Sequence, residues 1–162
     1  MVGSSEVEQG LAQMDEGFEL YEELSAPPVF WPLLLIIRAR ALISAGRAPE
    51  AFALVMEADA AVQSGNPTEA EVGLAHADLL LALSPDDIEG AVEMFEQTVE
   101  LAKARGALMA QLVAQTRLAF LRRGTPKEAQ ARSDLQDLYC GFTEGFDLPH
   151  LIAARAALGL PR

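Results

Sequence analysis

Between Glu6 and Ser25 the apolar residues Leu11, Met14, Phe18, Tyr21 and Leu24 return at three- and four-residue steps, which predicts a helix over 6–25 with one apolar stripe. Residues 1–5 carry no such pattern and are expected to be disordered. Ala26-Pro27-Pro28 closes the helix, because a residue before proline is driven out of the α region. Val29 to Ile37 is apolar on every side, as suits a helix buried between two neighbours. With Ala51 to Ser64, carrying Phe52, Val55, Ala58 and Val62, it makes a first antiparallel pair over 28–64. Asn66-Pro67-Thr68-Glu69 opens a second pair over 66–105 with an N-cap, a first-turn proline and a capping-box glutamate. Within that pair Ser84-Pro85-Asp86-Asp87 starts the second helix, which carries Val92, Phe95 and Val99. A third pair occupies 107–138, followed by a turn-rich link over 139–147, a last helix over 149–158 that caps the stack, and a tail over 159–162.

The same punctuation recurs. Gly46-Arg47-Ala48-Pro49-Glu50-Ala51 returns as Gly124-Thr125-Pro126-Lys127-Glu128-Ala129, 78 residues later, with a stretched relative at Ser84 to Ala91 between them. A period near 39 follows, and repeating helix pairs of this size predict an all-α solenoid. Tested against the tetratricopeptide pattern, Ala51, Val55 and Ala58 take the small, aromatic and small positions of a second helix, and Ala91, Phe95 and Thr98 take them one repeat later. Leu35, Arg38, Ala39 and Leu42 fall on the first-helix positions. In the last repeat Arg117 meets the small position and Ser133 the aromatic one, which leaves HEAT-like or other helix pairs open.

Composition narrows the chemistry. The 162 residues are 51% hydrophobic and 22% charged, enough for one sizeable core. A net charge of −12 opposes nucleic-acid binding, which rewards Lys and Arg. The apolar run before Arg38 is far shorter than the roughly 20 residues that cross a bilayer, so no membrane partner is expected. One cysteine, Cys140, excludes an internal disulfide, and a cytoplasmic location is expected. His76 and His150 lie in different helices with no zinc-ligand spacing, and no phosphate-binding glycine loop occurs. Neither catalysis nor a cofactor or metal is expected.

Two stretches, Glu69-Ala70-Glu71 with Leu74 to Leu81, and Leu138-Tyr139 with Phe142-Thr143-Glu144-Gly145-Phe146-Asp147, resemble a known family. This is the C-terminal tetratricopeptide (TPR) region of large bacterial regulators, nucleotide cyclases or LuxR-type proteins that also carry an ATPase module. The chain departs from that family at Gly141, where Trp is common, and over Leu74 to Asp78, where Arg-Leu-Arg-Gly-Glu is common. The resemblance implies antiparallel pairs stacked as a TPR-like right-handed solenoid whose first helices line a concave groove. Carried over, the groove positions are Leu33, Ile36, Arg40 and Ser44, then Glu71, Leu74 and Asp78, then Gln111, Ala114, Leu118 and Arg122.

The expected function is a non-catalytic protein-interaction or self-association module of a bacterial signalling or transcriptional regulator. The alternative is an effector sensor that binds a small molecule or peptide in the groove. Partners would be a protein, a peptide or a second copy. Charge is sorted along the chain: residues 48–102 hold twelve carboxylates and no Lys or Arg, and 103–132 hold seven basic residues and one acid. The acidic first helix could therefore dock on the basic repeat of another copy, or the basic repeat could neutralise its acidic neighbour within one chain.

Overall fold

The computed structural model describes residues 4–22, 30–62, 65–66 and 68–161. Among the described residues it contains eight helices and no strand. They are α1 (Ser4–Glu22), α2 (Trp31–Ser44), α3 (Ala48–Ala61), α4 (Glu69–Leu83), α5 (Ile88–Arg105), α6 (Leu108–Leu121), α7 (Glu128–Cys140) and α8 (Pro149–Leu158). Helix α1 begins at Ser4, inside the stretch expected to be disordered. The break at Ala26-Pro27-Pro28, the start of the first pair at 28–29, and Ser64 and Pro67 lie outside the described residues.

Short turns make α2 pack on α3, α4 on α5 and α6 on α7, while α2, α4, α6 and α8 also touch in succession. Helix α5 shows why the elements form where they do. Asp87 caps it by accepting from Gly90 N at 3.1 Å, and Gly106, in the left-handed conformation at φ 67°, ends it with Lys103 and Arg105 facing the negative helix end. Helix α4 approaches α5 closely through Gly73, where a Cβ would lie 2.8 Å from Thr98 Oγ1. That hydroxyl is itself held, donating to Met94 O at 2.8 Å.

Three apolar clusters form the core, one of α1–α4, one of α4–α6 and one of α6–α8. Their register is a 40-residue step. The helix starts Ala48, Ile88 and Glu128 obey it, as do the buried trios Val55, Phe95, Leu135 and Ala39, Leu79, Ala119. The packing step is thus 40 residues rather than about 39, and Ala119 and Leu135, both buried, stand in register with Ala39 and Val55, two residues beyond Arg117 and Ser133. The copy Gly124 to Ala129 misled because it belongs to the loop. Glu128 is the first helical residue of α7 and accepts from Gly124 N at 2.7 Å, whereas Glu50 is the third of α3 and turns to Arg47. Gly65 and Glu69 repeat the α7 device, with Gly65 N donating to Glu69 Oε2 at 3.3 Å.

Ala51 and Ala91 are fully buried, while Ala131, in register with them, is half-buried beside an open groove. Ala51→Leu and Ala91→Leu are therefore expected to cost about 1–3 kcal/mol each by overpacking, and Ala131→Leu is expected to be tolerated. Urea unfolding of the three variants checks this, and equal losses would contradict the register.

Arg47 clamps the N-terminal end. It donates to both Glu50 oxygens at 2.6 Å and to Glu8 Oε2 at 3.2 Å, tying α1 to α3. These hydrogen bonds from Arg47 hold the Glu50 carboxyl below the usual carboxylate range. A depressed folded pKa contributes stability that is present above the unfolded value of about 4.3 and lost as pH falls through the folded value. Glu50→Gln should therefore lower the melting temperature modestly at neutral pH, and the difference from wild type should close as pH falls below about 4.3, which leaves the variant with the flatter acid limb.

Candidate functional site

A groove of about 470 Å³ crosses α2, α4, α6 and the start of α8. Its apolar floor comes from Ile43, Leu81, Val113 and Phe120, which these helices present on one side at three- and four-residue spacing with Arg40, Asp78 and Arg117. Two interhelical ion pairs border the groove. Arg117 Nε lies 3.1 Å from Asp78 Oδ1, and Arg40 Nη2 lies 3.0 Å from Glu71 Oε2. The second contact is out of line with an N–H, so it is coulombic, and Arg40 Nε and Nη2 are buried without a hydrogen bond. His150 and Ser44 stand at the exposed rim.

The structure divides the residues expected to line a groove. Arg40, Ser44 and Asp78 line it, and Glu71 joins through Arg40. Ile36, Leu74 and Ala114 are fully buried and serve the core, Gln111 is buried, and Leu33 is half-buried away from this groove. Leu118 and Arg122 face the opposite side of α6, toward a second groove. The expected positions on α2 and α4 lay about one turn too near the N-termini. Ile43, Leu81, Val113, Arg117, Phe120 and His150 went unnoticed, although the period-3.6 run from Arg40 through Ile43 and Ser44 was available as a signal.

Basic residues of 103–132 are largely engaged within the chain. Arg105 pairs with Glu69 at 2.8 Å, Lys103 with Glu100 at 2.7 Å, and Arg122 with Glu96 at 2.9 Å and Glu89 at 3.4 Å. Arg123 lies 4.2 Å over the Phe120 ring. On α1, Asp15 is bound by Arg38 and Glu8 by Arg47. Trp31 packs on Phe18 with centroids 5.2 Å apart and donates from Nε1 to Glu57.

Among the described residues no group of three or more His, Cys, Asp or Glu is placed to hold a metal ion, and no helix is long and apolar enough to cross a membrane. Cys140 is exposed, and His76 Nε2 lies 3.7 Å from Asp59 Oδ1, away from His150. What the fold and groove define is an all-helical protein of successive helix pairs with a half-apolar cleft along their first helices. No protein-family model matches the chain, and no curated protein or solved structure is significantly similar to it.

Proposed function

We propose that the chain is a non-catalytic docking module, a TPR-like right-handed stack from a bacterial cytoplasmic signalling or transcriptional regulator, whose groove receives an apolar helix or peptide of a partner or of a second copy. The observation that carries this reading is the floor of Ile43, Leu81, Val113 and Phe120 between ion pairs that are already neutralised. Apolar contact would supply affinity, and the bordering charges would set register more than strength. Because its cations are engaged, self-association through this groove should be nearly insensitive to salt.

Light scattering after size exclusion, at low and high salt, tests the self-docking form. Wild type should associate in both, and Ala82→Glu or Phe120→Ser, both at exposed positions of the groove, should yield monomers with little change in melting temperature. A monomer at both salts and at high protein concentration would remove self-association from the reading. A second reading, an effector sensor, draws on Arg40, whose two unsatisfied donors border the groove. A small ligand that raises the melting temperature of wild type but not of Arg40→Leu would favour it.

A further inference from the structure

The repeat supplies its own control for a second groove, on the opposite side of α6. It holds about 460 Å³ between α5 and α7. The corresponding groove in the first pair lies between α1 and α3, over α2. There Arg47 is held by the carboxylates of Glu8 and Glu50. In register, 80 residues on, Lys127 replaces Arg47 and Gln130 replaces Glu50. Among the described residues Lys127 has no ion-pair partner: Gln130 stands where Glu50 supplies a carboxylate, and Glu96 and Glu100 of α5, which line the same groove, are taken by Arg122 and Lys103.

A second departure lies in the groove wall. Leu35 and Ala75, both buried, are followed in register by Gln115, which is 7% exposed and whose Oε1 has no hydrogen-bond partner. A buried acceptor without a donor costs about 1–3 kcal/mol. An apolar residue serves at this position in both other pairs, so the fold does not require the amide. The third departure is Asp134, which follows Leu54 and Met94 in register. It accepts from Gln130 Nε2 at 2.7 Å and, among the described residues, pairs with no cation.

We propose that this groove binds a short free peptide, a di- or tripeptide with both termini charged. Lys127 and Asp134 are seven residues apart, hence on one side of α7 and separated by roughly 10 Å along its axis. An extended peptide spans about 3.3–3.6 Å per residue, so two or three residues bridge that distance with some reach from the side chains. The peptide carboxylate sits on Lys127, as Glu50 and Glu8 sit on Arg47. The ammonium sits on Asp134, and the Gln115 side-chain amide, which lines the groove, turns over to bring its sealed Oε1 to a peptide N–H. An apolar side chain lies on Val99 and Leu118, which line the same groove. Arg122 is already neutralised by Glu89 and Glu96 and is not the anchor. This site is independent of the docking groove.

Titration of the isotope-labelled protein with glycyl-leucine, leucyl-glycine and leucyl-glycyl-glycine, each also N-acetylated and C-amidated, tests the proposal. At least one free peptide should shift the amides of Gln115, Leu118 and Ala131 saturably, and capping either end should weaken it about tenfold, the loss of one charge-assisted bond. Gln115→Leu, which restores the residue found in the first pair, should weaken binding about tenfold and raise the melting temperature. Lys127→Ala, an exposed change that spares the fold, should abolish discrimination between free and amidated peptide. The proposal is overturned if no free peptide gives a saturable response, if capped peptides bind as well as free ones, if Gln115→Leu binds as tightly as wild type, or if the shifts fall on Ile43, Leu81 and Phe120.

Discussion

Phe95→Ala is expected to remove about 3–5 kcal/mol of stability, the largest effect of any single truncation in this chain. Among the described residues Phe95 is the largest fully buried side chain, held in the middle cluster with Leu74, Val99 and Ala114. Helices α4 and α6 flank α5, so the chain cannot collapse onto the void without moving both. Transfer and cavity costs then add. The residues in register make the comparison internal: Leu135→Ala should cost about 2–5 kcal/mol and Val55→Ala less, in order of the volume removed. Chemical denaturation of the three proteins measures this. A loss for Phe95→Ala no larger than that for Val55→Ala would mean that the middle cluster is not the tight one.

The second large effect concerns a charge. The Arg122 side chain is 8% exposed, whereas its partners Glu89 and Glu96 are 82% and 51% exposed. Removing both acids leaves a guanidinium in the wall with nothing to neutralise it. Glu89→Ala with Glu96→Ala should therefore cost about 2 kcal/mol, below the 3–5 kcal/mol of fully buried pairs because water still reaches the acid side. Arg122→Met frees two carboxylates that are already solvated, and it should be nearly neutral. Thermal melts of the two variants decide the sign: a heavier loss for Arg122→Met would show that the arginine stem packs more than its charge costs.

Much of the fold was legible because helix signals are local. Proline and acid at Pro49-Glu50, aspartate at Asp87, glycine at Gly106 and the apolar spacing of Val55, Phe95 and Leu151 each act within a turn or two. What stayed hidden was relational. The loop copies 78 residues apart are satisfied by their own hydrogen bonds and do not feel the core, so they concealed the 40-residue packing step by two residues. Gly73 is a cost in a lone helix and becomes an asset only against Thr98. The groove was half legible for a similar reason. Periodicity shows which residues share a side of a helix, as Leu33, Ile36 and Arg40 do on α2, but only the neighbouring helices decide that Ile36, like Leu74 and Ala114 on theirs, is covered. Gln115 and Asp134 carry no local signal at all, and their meaning appears when they are laid over Leu35 and Leu54.

The division of the core into three clusters has a consequence for how disturbance travels. Of the described helices, α4 and α6 alone are shared between neighbouring clusters, and none of the first touches one that belongs to the third alone. Fluctuations at Leu11 can reach Leu158 only by passing through α4 and then α6, each of which must move as a body to relay them. The molecule is therefore a series circuit with two junctions. Either end can loosen and reclose on its own timescale while the other stays folded, and whatever stiffens α6 from either of its two grooves changes both the junction and the end beyond it.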